Sequence, residues 1–118
     1  MVERRYDPKR LGADGEARAA RWYAQRGYEV LDRNWRCRHG ELDLVLRGHG
    51  ALVVCEVKTR STDRFGTPFE AVDLRKQRRV RQLAGLWLEA HPEQRRGQLR
   101  FDVAAVRGAR VEVLEGAW

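Results

Sequence analysis

Cysteine is scarce in this chain: Cys37 and Cys55 are the only two in 118 residues. Neither lies at zinc-site spacing from a second Cys or a His, and two cysteines make no disulfide framework. Cys55 sits in an apolar run and reads as a small buried residue, whereas Cys37 stands among arginines, where exposure is expected. Long hydrophobic runs are also missing, which excludes a membrane-spanning helix. The charged start MVERRYDPKR has no apolar stretch of the signal-peptide kind. A cytoplasmic location without a membrane partner is the expectation. Lysine is the third scarcity: Lys9, Lys58 and Lys76 are the only lysines among 24 basic residues. Arginine serves nearly everywhere else, so Lys58 is conspicuous. A lysine is a compact donor that can lose its proton when desolvated, whereas guanidinium stays charged. Internal repeats, low-complexity tracts and linkers are absent, which predicts one domain over 1–118 with residues 1–10 loosely ordered.

Basic charge is plentiful. Against 24 Lys and Arg stand 17 Asp and Glu, a net charge of +7. A polyanionic partner follows, and nucleic acid is the commonest for a cytosolic protein. Solubility alone is the plainer alternative.

The composition of Leu11–Gln25 predicts a helix that ends at Gly27, with Leu11, Gly15, Ala19, Trp22 and Tyr23 facing a core. An extended run follows from Tyr28 to Trp35, and Arg36–Gly40 reads as a polar link. Leu42–Leu46 and Ala51–Val57 are apolar strands around an Arg47–Gly50 turn. Thr59–Pro68 reads as a loop. A second helix is predicted over Asp73–Glu89, with Leu74, Val80, Leu83, Ala84, Trp87 and Leu88 on one face, and Pro92 beyond its end. Leu99–Val106 and Arg110–Leu114 are strands. The expected order is α-β-β-β-α-β-β.

Charged groups punctuate the ends of the two apolar strands. Glu41 and Asp43 stand at the start of one, and Glu56 and Lys58 at the end of the other. Residues two apart in a strand share a face, so a hairpin would let these four groups converge. Acids at the end of a buried strand carry a desolvation cost unless something compensates them. A divalent metal beside a lysine compensates them and also does chemistry. Phosphodiester hydrolysis needs an activated water, neutralised phosphate charge and a supported leaving oxygen, and Mg²⁺ or Mn²⁺ on two or three carboxylates supplies these. Asp43 and Glu56 are the candidate carboxylates and Lys58 the candidate catalytic lysine. An acid-x-Lys at a strand end also occurs as a plain surface ion pair. Arg75, Lys76 and Arg79 follow on the second helix, either as a solvated face or as phosphate contacts, and Arg60 just past Lys58 is a further phosphate candidate. Gln77 could also reach toward the site.

These residues resemble the PD-(D/E)xK nuclease superfamily: Asp43, then Glu56-Val57-Lys58 on consecutive strands, after a helix carrying Glu16. More narrowly, the chain is similar to the bacterial YraN-like family, itself related to archaeal Holliday junction resolvases. The matching stretches include Gly15-Glu16, Asn34-Trp35-Arg36, Gly40-Glu41-Leu42-Asp43-Leu44, Val54–Arg60, Phe65–Pro68, Lys76 and Phe101-Asp102-Val103. The resemblance implies an α/β restriction-endonuclease-like fold, an α-β-β-β-α-β core with a mixed central sheet flanked by helices. It implies Asp43 and Glu56 as metal ligands, Lys58 as catalytic lysine, and Glu16 as an additional acid from the first helix. Glu16 otherwise reads as a solvated helix residue at the border of the apolar stripe. Glu41 becomes a supporting or merely structural acid. The family pattern has proline before the first aspartate, and here Leu42 takes that place. By the same resemblance a homodimer would let two strands be cut. The function implied is a metal-dependent nuclease acting on DNA, including branched or structured DNA. The alternative is a nucleic-acid-binding module that kept the fold without catalysis.

Overall fold

The computed structural model describes residues 8–60 and 72–118. All the residues singled out above for the site fall within them. Residues 1–7 and most of the expected Thr59–Pro68 loop lie outside the described residues.

Helix α1 (Pro8–Ala24) leads into strands β1 (Glu29–Cys37), β2 (Gly40–Gly48) and β3 (Ala51–Thr59). Helix α2 (Leu74–Ala90) follows, then a short 3₁₀ turn, and strands β4 (Gln98–Arg107) and β5 (Arg110–Leu114). The order is the one read from the sequence. Three boundaries differ. Helix α1 starts at Pro8, inside the expected lead-in, because the fixed φ of proline suits a first helical position. Strand β1 runs on through Arg36 and Cys37, which pair with Glu41 and Gly40. The β2–β3 turn narrows to His49 and Gly50, both with positive φ (53° and 78°), the two-residue geometry that matches strand twist.

The sheet has five strands in the order β1-β2-β3-β4-β5. Pairing is antiparallel except between β3 and β4, which α2 connects in parallel. The sheet is therefore mixed, with one helix on each face. Alternation along the strands divides the core. Leu44, Leu46, Val53, Cys55, Ala104 and Val106 pack with Ala19 and Tyr23 of α1. Val45, Leu52, Val54 and Phe101 pack with Val80, Leu83, Ala84 and Trp87 of α2. This α/β architecture is compatible with the restriction-endonuclease-like fold expected from the sequence.

Local chemistry ends the helices where the sequence places the signals. Gly27 takes φ 86°. Its N–H donates to the Ala24 carbonyl at 3.2 Å, and the Tyr28 N–H donates to that of Tyr23 at 3.1 Å. This is the paired bonding of a glycine-terminated helix, closed by the Tyr23 and Tyr28 rings at 5.1 Å. At the other helix Asp73 caps α2, its Oδ1 accepting the Lys76 N–H at 2.9 Å. Leu74, expected on the core stripe, is 67% exposed, because it lies in the first turn of α2, beyond the packed stretch that begins at Val80. Cys37, expected at the surface, is half-buried, since β1 extends to include it.

Helix α1 can lie this close to β3 only because residue 15 is glycine. A Cβ there would overlap Thr59 Oγ1 and stand 3.2 Å from Thr59 Cβ, an approach that turning the threonine does not lengthen. Gly15→Ala is expected to destabilise the fold by about 1–3 kcal/mol, the usual cost of overpacking. Thr59→Ala in the same chain should recover part of that, because the two sites touch. Urea melts of the two single variants and the double variant measure the coupling; additive costs would show that α1 shifts away instead.

Candidate active site

Strands β2 and β3 pair from Gly48↔Ala51 as far as Leu44↔Cys55. Beyond that point β2 stays with β1, through Trp35↔Leu42 and Cys37↔Gly40. Meanwhile β3 stays with β4 as far as Thr59↔Val106. The sheet thus forks at Asp43 and Glu56. The side-chain alternation slips at the same place: Leu42 joins the α2-side core, while Leu44 and Leu46 join the α1-side core. In the fork the Val57 N–H has no β2 carbonyl to meet. Asp43 supplies the acceptor, its Oδ2 taking that N–H at 2.8 Å. A backbone donor is satisfied by a carboxylate, and the carboxylate is held by the strand that bears the second acid.

Glu56 is buried, 4% exposed, and lines the same pocket as Asp43. Burial, then the bond to Asp43 and the charge of Asp43, push Glu56 from 4.5 up to about 8, while Lys76 and Lys58 pull it down. Lys58 sits two residues on. Burial first, then contact with the Lys76 ammonium, push it from 10.5 down to about 8, against the pull of Glu56 and Asp43. The Lys76 Nζ stands 3.9 Å from Glu56 Oε1. Two acids and two ammonium groups therefore share the fork.

An open pocket of about 250 Å³ lies there, lined by Gly40, Glu41, Asp43, Glu56, Lys76, Arg79, Val80 and Leu83. Glu41 is at its rim, exposed and paired with Arg36 at 3.0 Å. Arg79 also lines it, one turn after Lys76, and Arg75 is exposed in the first turn of the same helix. Arg60 is half-buried just after β3, its N–H donating to the Val106 carbonyl at 2.9 Å. The Gln77 side-chain amide donates to the Val72 carbonyl at 3.3 Å. Larger grooves elsewhere, one between α1 and β5 lined by Arg18, Arg21, Trp22 and Arg26, hold no acidic residue and lack this chemistry.

Glu16 reaches the fork from α1. Burial raises its carboxyl above 4.5, a hydrogen bond from Asn34 opposes this, and the charges of Asp43 and Glu41 add to the rise. Among the described residues no three of His, Cys, Asp and Glu stand close enough together to share one ion. The pair that could hold one is Asp43 and Glu56, with Glu16 beyond it. Asn34 is the residue that sequence reasoning passed over. It falls between the pairs Arg33↔Leu44 and Trp35↔Leu42, opposite Asp43, with φ 52°. An asparagine inside a strand run was the available signal, because Asn is depleted in strands and tolerates positive φ.

The shift of Glu56 carries a stability prediction. A carboxyl that titrates near 8 when folded and 4.5 when unfolded favours the fold at low pH. That advantage is lost as pH rises through this window, because the folded chain holds a proton that the unfolded chain releases. The melting temperature of Glu56→Gln relative to wild type, in a chelator, is expected to climb from pH 5 to pH 8. A difference that stays flat would mean that Glu56 titrates normally.

Residues 15–106 match the Uncharacterised protein family UPF0102. The chain belongs to that family. It is 53% identical over 113 residues to a UPF0102 protein of Frankia alni, covering 92% of this chain and 93% of the relative. It is 50% identical over 112 residues to one from Clavibacter michiganensis, covering 91% and 94%. A third, from Nocardioides, is 57% identical over 79 residues, 67% of this chain and 64% of the relative. The UPF0102 match contains the whole fork, from Gly15 and Glu16 on α1 through Asn34, Asp43, Glu56, Lys58 and Lys76. Among the described residues of this UPF0102 chain no helix is long and apolar enough to cross a membrane.

Proposed function

We propose that this chain is a divalent-metal-dependent nuclease that hydrolyses phosphodiester bonds in DNA, branched or otherwise structured DNA included. The observation that carries the reading is the fork, where Asp43 and Glu56 line one open pocket and Lys58 follows two residues along β3. Two acids at one pocket, one of them buried, repel unless a proton or a cation lies between them. A hard divalent ion suits this donor set, since Mg²⁺ takes one or two carboxylates and fills its remaining positions with water and substrate phosphate. Asp43 and Glu56 would hold Mg²⁺ or Mn²⁺. Bound there, the ion would supply water activation and neutralise the charge that builds on the phosphate.

The rest of the work falls to the chain. Asp43 is oriented by the Val57 N–H, so its second oxygen is presented at a fixed angle. Lys58, two residues along β3 from Glu56, would offer a compact donor to developing negative charge without reorganisation. Its shift to about 8 leaves a neutral amine accessible at mildly alkaline pH, so it can also take a proton from an attacking water. Glu16, steadied by Asn34, adds negative potential from the α1 side. Arg79, Lys76, Arg75 and Arg60 form a cationic border that would position phosphates without reading bases.

Calorimetric titration of Mn²⁺ tests the reading. Wild type should give a binding isotherm that Asp43→Ala abolishes, and wild type with Mg²⁺ or Mn²⁺ should cut junction, duplex or single-stranded DNA. Salt-sensitive DNA binding with no metal isotherm and no cleavage would instead identify a non-catalytic nucleic-acid-binding module.

A further inference from the structure

Lys76 has a place that a surface phosphate contact does not require. Its Nζ stands 3.9 Å from Glu56 Oε1, and with Glu56 and Asp43 it lines the pocket at the fork. The acids Asp43 and Glu56 thus have a lysine beside them that is not part of their own strands. A divalent ion adds two positive charges to this half-buried pocket next to that ammonium, which is costly until a cation leaves or an anion arrives. Lys58 and Lys76 are not equally free to move. Lys58 is held within the sheet, paired to Ala105 of β4. Lys76 stands at the end of α2 with its side chain 38% exposed. The Asp73 cap fixes its backbone at 2.9 Å and leaves the butyl arm to swing. One turn on, Arg79 lines the same pocket, so an outward swing brings Lys76 to an existing cationic border.

We propose that Lys76 is a built-in cation that neutralises the Asp43–Glu56 pair while no divalent ion is bound, and that moves to the phosphate backbone of nucleic acid when one is. The inference rests on the metal-dependent nuclease reading above and assigns one residue to two successive partners. Lys76 is a positioning residue: it opens the acids to the ion and anchors the substrate.

The test uses the full chain and two variants, Lys76→Met and Lys76→Arg, with thermal melts confirming that each is folded. In Mn²⁺ calorimetry Lys76→Met should bind about tenfold more tightly than wild type, because the competing charge is gone, and Lys76→Arg should stay near wild type. The second readout is the salt dependence of DNA binding with and without Ca²⁺, an oxygen-seeking ion in place of Mn²⁺. Adding Ca²⁺ should steepen the wild-type slope of log affinity against log salt by about 0.9, one phosphate contact, and leave the Lys76→Met slope unchanged. Equal Mn²⁺ affinity in wild type and Lys76→Met, or a Ca²⁺ response that survives in Lys76→Met, overturns the inference. Wild type that still binds Mn²⁺ and cleaves DNA in that case leaves the nuclease reading standing. A failure of every variant to bind Mn²⁺ removes both.

Discussion

Glu56→Ala is expected to abolish metal-dependent DNA cleavage, and Lys58→Ala to lower it about 10²–10³-fold, the usual loss on removing one preorganised donor. The two residues sit two apart on β3, yet the expected defects differ in kind. Glu56 is one of two candidate ligands at the pocket, and Asp43 alone offers an ion one side chain and solvent. Glu56→Ala should therefore lose the Mn²⁺ isotherm together with activity. Lys58→Ala should keep or strengthen metal binding, since a neighbouring positive charge is removed, while the rate falls. Single-turnover cleavage of a labelled junction, run beside calorimetry on the same preparations, separates these outcomes. Lys58→Arg should not restore the rate, because guanidinium is larger and stays protonated at every working pH. Wild-type rates in Lys58→Ala would sink the assignment of Lys58, and wild-type metal binding in Glu56→Ala would sink that of Glu56.

Asp102→Ala is expected to be the most destabilising single change outside the apolar core, at about 3–5 kcal/mol, the cost of leaving a buried charge without its partner. Asp102 is fully buried in β4. Its Oδ2 accepts from Tyr23 OH at 2.7 Å and from Arg100 Nη2 at 3.0 Å. Its Oδ1 accepts from Arg100 Nε at 2.9 Å and from the Gly116 N–H at 3.0 Å. Arg100 also donates to Tyr28 OH at 2.9 Å, and the bond to Asp102 is the chief cause that raises its guanidinium above the ordinary arginine range. One carboxylate thus ties α1, β4 and the chain after β5 together. Removing it leaves a mostly buried guanidinium with only Tyr28 OH and Glu115, at 3.8 Å, and takes the acceptor from a buried phenol and a backbone N–H at once. Asp102→Asn should cost less, because the amide oxygen still accepts. Chemical denaturation measures both; a loss below 1 kcal/mol for Asp102→Ala would mean that water takes over its partners. Phe101-Asp102-Val103 was part of the family resemblance, and the structure gives that aspartate a structural task on the strand beside Cys55, bonded to Tyr23 of α1.

The order of elements was legible in the sequence because it is written in local signals. Gly27 ends α1, Pro92 stands beyond α2, and the apolar period changes from helical to alternating between them. Asp43, Glu56 and Lys58 were legible for a similar reason: charged residues interrupt runs that are otherwise apolar, and the spacing matches a known pattern. Strand parity alone predicted their common face by assuming a regular hairpin. The fork shows a different arrangement, in which β2 leaves β3 at the acids and the Asp43 carboxylate replaces the missing ladder bond.

The sequence by itself determined the order of elements, where the first helix ends, the apolar stripes of the helices and the types of group available for chemistry. Each depends on residues within a few positions of one another. Tertiary structure decided which of those groups meet. Lys76 stands beside Glu56 across 20 positions of sequence, Asn34 binds Glu16 from another element, and Gln77 folds back on its own cap. These outcomes turn on where α1 and α2 settle against the sheet. That is set by Gly15 against Thr59 and by Val80, Leu83 and Trp87 against β2 and β3, packing contacts that no local pattern encodes.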